Sequence, residues 1–265
     1  MKIGAFPSSE QAGVSRESLL DAFDKLLQPA QFKDYGPNGL QVEGCAIVRR
    51  VVSGVTSSLA LIEAAIDHKA DAIFVHHGLF WRGQDGRVTG WMKQRLSRLL
   101  AHDINLFAYH LPLDAHPTLG NNVQLASRLD VLLSDVPGEG RFGDQLLGVI
   151  GQCQSQSAAA FSELVSERVG REVLLVGDAD RLVQKVALCT GGAQSYFESA
   201  IAAGADVFVT GEISEPQAHY ARESGVAYIA CGHHASERYG AQAVADHVAQ
   251  SLGLEHCFID IPNPA

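Results

Sequence analysis

RVVSGVTSSLALIEAAIDHKADAIFVHHG, residues 50–78, and KVALCTGGAQSYFESAIAAGADVFVTGE, residues 185–212, decide the fold: the second restates the first at an offset of 135 positions. Arg50-Val51 falls on Lys185-Val186, Glu63 on Glu198, Ala65-Ile66 on Ala200-Ile201 and Ala70-Asp71 on Ala205-Asp206, without a gap. Each copy opens on a short apolar run, Val51 to Val55 or Val186 to Cys189. An amphipathic stretch follows, Leu59 to His68 or Ser195 to Ala203, and then a second apolar run, Ala72 to Val75 or Val207 to Thr210. Strand, helix and strand in so short a compass make a βαβ unit with a parallel pair.

The likeness extends outward from these two units. Each is followed by a further helical stretch, Met92 to His102 or Glu215 to Ser224, and by another apolar strand, Leu106 to Tyr109 or Ala227 to Ala230. Each is preceded by a helix, Ser15 to Leu27 or Ala158 to Val169. The expected fold class is α/β, built from two related halves, residues 1–130 and 131–265. The junction lies near Asp130 to Gly143, where Asp, Pro and Gly cluster.

With 265 residues and 46% hydrophobic content, the chain can bury one large core or two ordinary ones. Its formal charge of −10, with no basic run longer than Arg49-Arg50, disfavours polymeric nucleic acid as a partner but leaves small anions open. The five cysteines, Cys45, Cys153, Cys189, Cys231 and Cys257, are scattered and form no C-x-x-C, which favours reduced thiols over a disulfide framework or a zinc ribbon. The opening MKIGAFPSSEQ has no apolar stretch of signal-peptide length, and no uncharged apolar run reaches the roughly 18 residues that span a bilayer. A soluble cytoplasmic protein with no membrane partner is expected.

Chemistry concentrates at the ends of the apolar strands. His76-His77 follows Ile73-Phe74-Val75, with Gly78 to turn the chain; His110-x-x-x-Asp114 and His233-x-x-x-Glu237 each follow a later strand. Ligands gather at the carboxyl ends of parallel strands. Neighbours on a regular strand point to opposite faces, so adjacent histidines rarely serve one ion. At a strand end they can instead give one imidazole to each of two ions. One core and one exposed histidine is the plainer alternative. Pro112 forbids a regular helix interior between His110 and Asp114. If Ala235 onward is helical, His233 and Glu237 share a face one turn apart. Glu237 has the longer reach and is the better candidate for bridging two cations.

Other residues allow two readings. His110 and His234 suit acid–base or supporting roles, or simple hydrogen-bonded packing. His116 and His219 can orient ligands or meet substrate, and Glu212 is a further pocket candidate. Tyr35, Asn38 and Gln41, in Asp34–Gln41, can wall a ligand site or merely serve a Gly/Pro/Asn-rich turn, and Asn121-Asn122 divides the same way. Cys231 reads as a small core residue. His68, His102, His247 and His256 read as surface or helix residues. No Walker loop, G-x-S-x-G elbow or G-x-G-x-x-G fingerprint is present in the sequence.

DYGPNGLQVEG (34–44), FVHHGLFW (74–81), YHLPLDAH (109–116) with GNN (120–122), VTGE (209–212), GHHASER (232–238) and FIDIPNPA (258–265) resemble the YbgI-like members of the Nif-like dinuclear metal-binding family. That family also carries the label "GTP cyclohydrolase 1 type 2". The resemblance covers the chain from about Asp34 to its last residue. It implies two intertwined α/β halves with mixed four-stranded sheets, a dinuclear metal site between them, and a homohexameric ring. Longer members carry a domain inserted between the halves, for which this chain has no room. Carried onto matching positions, the implied metal ligands are His76, His77, Asp114, His233 and Glu237, with Glu237 bridging.

The expected activity is therefore a dinuclear metal-dependent hydrolase, cyclohydrolase-like and acting on C–N bonds. Two divalent ions (Zn, Fe, Mn or Ni all suit N/O ligands) would activate water against a small-molecule substrate such as a nucleotide. His110 or His234 would move protons, and Tyr35, Asn38, His116, Glu212 and His219 would contact substrate. The rival readings are a metal-binding scaffold or metallochaperone without turnover, and a hydrolase of damaged nucleotides.

Overall fold

The computed structural model describes residues 12–136 and 138–265; the opening MKIGAFPSSEQ, and with it the expectation of no signal segment there, lies outside the described residues. Among the described residues, no helix is long and apolar enough to cross a membrane. The chain divides into two compact units. One runs up to Leu113 and is completed by Ala241–Pro262; the other is Asp114–Gly240 with Asn263–Ala265. The chain leaves the first unit, builds the second and returns, and in this sense the halves are intertwined as expected. The repeat division at residues 130 and 131 follows sequence likeness, whereas the compact units follow contact.

The first unit holds a five-stranded mixed sheet, ordered Glu255–Phe258, Arg50–Thr56, Ala72–His77, Asn105–Ala108, Gly39–Val42. The first four strands run parallel, and Gly39–Val42 closes the edge antiparallel. Val52, Ile73, Val75 and Leu106 bury one face under the helices Leu59–Asp67 and Gly90–Ala101, through Leu61, Ile62, Ala65, Met92 and Leu99. On the helix Arg16–Leu27, Phe23 stacks on Phe74 at 4.5 Å and meets Phe107 at 5.6 Å. All three rings are fully buried, each worth about 1.5–3 kcal/mol relative to exposure.

The second unit holds a seven-stranded sheet. Its main order is Leu174–Val176, Ala227–Ala230, Val207–Thr210, Leu182–Leu188, Gly148–Ser157, Leu132–Leu133, and Arg141–Phe142 also pairs with Gly148–Ser157. The three strands of the sequence repeat form its parallel centre. Both sheets thus exceed the four strands expected. The surplus strands are short or polar, and Gly148–Ser157, though paired on both sides, carries Gln152, Gln154 and Gln156 at alternate positions, a pattern with little apolar signal. His256, read from sequence as a surface or helix residue, lies instead on the added parallel strand Glu255–Phe258 with its side chain 4% exposed; its ring lies between Asp246 at 2.5 Å and Ser53 at 2.7 Å.

The two parallel cores share individual bonds as well as element order. Val51 pairs with Ala72 in one and Val186 with Val207 in the other, both at the common offset. Asp71 Oδ2 accepts the backbone N–H groups of Arg49 and Arg50, at 2.7 and 2.9 Å. Asp206 Oδ2 accepts those of Gln184 and Lys185, at 3.0 and 2.8 Å. After each first helix the chain turns alike: Ala70 N–H reaches the Ala65 carbonyl, and Ala205 N–H that of Ala200. Each aspartate ties the start of one strand to the start of the next. Asp71→Ala and Asp206→Ala are each expected to cost about 1–3 kcal/mol, by leaving charge-assisted bonds unmade. Urea unfolding of the two variants reads this, and a loss in only one would show that the shared bonds are not equivalent in weight.

Candidate metal centre

In the first unit the histidine pair forms the last two residues of the strand Ala72–His77, so the strand runs two residues beyond the expected end at Val75. The two rings nevertheless lie 4.5 Å apart between centroids. His76 Nδ1 donates to the carbonyl oxygen of Tyr109 at 3.2 Å, and His77 Nδ1 lies 3.2 Å from Thr56 Oγ1. A carbonyl can only accept, so the His76 proton sits on Nδ1 and Nε2 carries the lone pair, the tautomer a metal ligand needs. Gly78 is needed for contact with Gln41 rather than for an unusual turn: a Cβ there would lie 2.3 Å from Gln41 Oε1.

His110 joins this pair. Its ring centroid is 4.9 Å from that of His76 and 5.7 Å from that of His77, and one ligand-type nitrogen from each of the three lies within 4.8 Å of the others. Asp34 holds His110 in place. Its carboxylate accepts from His110 Nδ1 at 2.7 Å, the N–H groups of Tyr35 and Leu111 at 2.6 and 2.9 Å, and Asn38 Nδ2 at 2.9 Å. Asn38 Oδ1 in turn accepts the backbone N–H of His110 at 2.7 Å. Burial acts to raise the Asp34 pKa, but the hydrogen bond and charge of His110, with Asn38 and Leu111, outweigh it and hold the pKa down at about 2. Trp81 stands edge-on to His110, 5.0 Å away at 89°.

In the second unit the donors again follow parallel strands. Gly232, after Ala227–Ala230, turns the chain at φ +96°, which favours glycine, and the short helix His233–Ser236 begins. Glu237 lies just past that helix and is 2% exposed, yet its Oε2 is 3.3 Å from His233 Nε2. His233 Nδ1 donates to Glu212 Oε1 at 2.6 Å, a carboxylate–histidine pairing of the kind that orients metal ligands. Burial opposes charge on His233, but the hydrogen bonds and negative charges of Glu237 and Glu212 raise its pKa to about 9. Asp114, 7% exposed, lies in the helix Leu111–Ala115, with Pro112 in the first turn where no N–H is required. Its Oδ1 accepts from Asn121 Nδ2 at 2.9 Å and Thr190 Oγ1 at 3.4 Å. Asn122 donates to the Asp114 and Leu147 carbonyls and accepts from Thr190 N–H. Both asparagines are therefore committed to holding Asp114 and its surroundings.

The donor chemistry fits hard or borderline divalent cations. Buried carboxylates demand positive charge, and the imidazoles are held by oxygen partners on one side. The cysteines do not compete. All five are free; burial pushes the Cys189 thiol well up, with the charges of Asp114 and Glu237 adding to it, and burial raises Cys231 to about 12.

The remaining expected residues have bonds of their own. His116 Nδ1 accepts from Thr118 and Leu119 N–H, closing a turn. His219 pairs with Glu215 at 2.9 Å on an exposed helix face. His234 is buried, and its backbone N–H reaches the carbonyl of Ala265. Asp34 and Trp81 were not singled out from the sequence. The signal for Asp34 was an acid four residues before Asn38 in a turn; for Trp81 it was an aromatic just past the histidine pair.

Fold and donors define an α/β protein of two units whose strand ends carry imidazole and carboxylate groups suited to metal. The chain belongs to the Duf34/NIF3 (NGG1p interacting factor 3) family, which it matches over residues 14–264. It is 49% identical over 254 residues to a Pseudomonas aeruginosa protein named "GTP cyclohydrolase 1 type 2 homolog", covering 95% of this chain and 99% of that one. A relative of the same name from Escherichia coli K12 is 45% identical over 249 residues, covering 93% and 98%. Among solved structures it is similar to protein ybgI, described as of unknown function, with TM-score 0.90, 44% identity, and 95% and 100% of the chains covered. A Thermus thermophilus protein gives TM-score 0.83 at 33% identity, covering 95% and 100%.

Asp34→Asn should cost about 1–3 kcal/mol at pH 7, since an amide NH₂ would then face donors. The folded pKa of about 2 lies below the ordinary 3.8, so this stability is present above about pH 4 and fades as pH falls toward 2. Urea unfolding from pH 7 to pH 3 should show the gap between wild type and variant narrowing with acid. A gap that is constant or absent would contradict the role given to Asp34.

Proposed function

We propose that the protein is a dinuclear metal-dependent hydrolase acting on a C–N bond of a nucleotide or related small molecule, in the manner its relatives' name suggests. Its metal ligands would be His76, His77, Asp114, His233 and Glu237, with Glu237 shared by two divalent cations of the Zn, Fe, Mn or Ni type. The observation that carries this reading is the pinning of His76, His77 and His233 through Nδ1 by oxygens of their own units, with the buried Glu237 carboxylate 3.3 Å from His233 Nε2. When bound, the cations would supply a water acidified toward neutral pH and positive charge for a developing oxyanion.

The chain's own residues do the rest. Asp34 keeps the His110 Nδ1 proton in place, so Nε2 is the nitrogen that takes a proton from the attacking water and returns it to the departing nitrogen of the substrate. His234 is the second candidate for that duty. Glu212 and Asn38, offered from sequence as substrate contacts, are assigned here to orienting His233 and His110, which leaves Tyr35 as the favoured contact. In the same reading the working form is a cytoplasmic homohexamer.

Metal content per chain, measured by mass spectrometry on purified protein, tests the ligand set; two equivalents are expected, with a clear drop for His76→Ala and Glu237→Ala. Glu212→Gln should weaken metal affinity roughly 10- to 100-fold without removing a ligand. Turnover is read by incubating loaded and chelated protein with GTP, other nucleotides and simple esters. Full metal and full turnover in Glu237→Ala would overturn the reading. Tightly held, transferable metal with no product from the panel would favour a metallochaperone or scaffold instead.

A further inference from the structure

We propose that Arg171 is a positioning residue for His233 and Glu237: together with the tail Asn263–Ala265 it clasps the segment that carries them. The inference rests on the ligand assignment made above. It concerns the second unit alone, to which Arg171, the segment 232–239 and the tail all belong.

The helix His233–Ser236 has four residues, too few to hold its shape alone. Gly232 stands at its N-cap and has no side chain to take up the first N–H groups. The tail supplies what Gly232 lacks: the carbonyl of Ala265 accepts the N–H of His234 at 3.2 Å. The tail is folded for this, since Asn263 Oδ1 accepts the Ala265 N–H at 2.9 Å. Arg171 Nη1 donates to the Pro264 carbonyl at 2.8 Å. The same guanidinium lies across Gly232, where a Cβ would meet Arg171 Cδ and Cζ at 3.0 Å. One side chain thus touches both the turn that opens the helix and the tail that caps it.

Arg171 is itself held. It follows the helix Ala158–Val169, which Gly170 closes at φ +72°. The Arg171 N–H donates to the Ser166 carbonyl at 3.2 Å, and its own carbonyl accepts from Ser166 Oγ at 2.6 Å. The far flank of the ligand segment is tied to the same helix end. Arg238 Nη2 donates to the Val169 carbonyl at 2.5 Å, and the Tyr239 hydroxyl to the Arg168 carbonyl at 3.1 Å. The last carbonyls of a helix have no partners within it and form its negative end, so a guanidinium and a hydroxyl suit them. His233 and Glu237 therefore lie between two attachments to one helix end. Support of this kind keeps ligand groups in place before an ion arrives.

Arg171→Met keeps an apolar stem to pack on Gly232 and removes the donors. Two measurements on the full-length protein test it. The first is amide hydrogen exchange after chelation: the His234 N–H should exchange about 10-fold faster in the variant, with the strand Val207–Thr210 unchanged. The second is Co²⁺ affinity by competition with a chelator, the absorption spectrum of the bound ion reporting its coordination. Affinity should fall roughly 10-fold in Arg171→Met, with an altered spectrum, beside a larger loss in Glu237→Ala. His234 exchange that is unchanged, or that rises equally in the strand, would overturn the clasp. Metal lost in Glu237→Ala but held at wild-type affinity by Arg171→Met would overturn the positioning role. Wild-type affinity in Glu237→Ala would instead sink the ligand assignment, and the exchange of His234 in chelated protein would still report the clasp by itself.

Discussion

A carbonyl oxygen has no proton to give, and that fact sets His76. With the Tyr109 carbonyl 3.2 Å from Nδ1, the ring must keep its proton there and present Nε2 as a lone pair. Carboxylates likewise accept from Nδ1 of His110, held by Asp34, and from Nδ1 of His233, held by Glu212. In each case an oxygen of the ring's own unit fixes the ring's orientation. Without those partners each imidazole would divide its population between two tautomers and several rotamers, and a ligand group would have to be assembled anew on binding.

Parallel strands explain why these oxygens are available where they are needed. Tyr109 follows the strand Asn105–Ala108, next in the sheet to the one ending at His77, so its carbonyl faces the end of its neighbour. Glu212 follows Val207–Thr210, and His233 follows the adjacent strand Ala227–Ala230. At the opposite ends, Asp71 and Asp206 tie strand starts together through matching pairs of N–H bonds. The start of each core is locked by a side chain that bonds backbone, and the finish is free to carry chemistry. This division of labour is the physical content of the duplicated sequence.

That content was legible wherever apolar periodicity carried it. The helices Ala158–Val169 and Glu215–Ser224 and the strands Val207–Thr210 and Ala227–Ala230 fall where the pattern put them, because buried parallel strands and amphipathic helices write their burial into the sequence. The edges did not. Gly148–Ser157 pairs on both sides yet reads GVIGQCQSQS, and Glu255–Phe258 reads EHCF; neither has a run of apolar residues. Histidine–acid spacings drew attention to the donors, but spacing is silent on partners. That Glu212 bonds His233, or that Asp34 gathers four donors, depends on chain segments far apart in sequence.

A polar side chain can be used once. Asn38, Asn121 and Asn122, each a plausible ligand contact when met in a Gly-rich sequence, have their amides engaged in holding His110 or Asp114 in place. Buried amides left half-satisfied for a future substrate would cost about 1–3 kcal/mol each while waiting. Spent on the histidine and the carboxylate instead, the same amides hold those groups in place before any ligand arrives: Asn38 through the backbone of His110, Asn121 and Asn122 through Asp114.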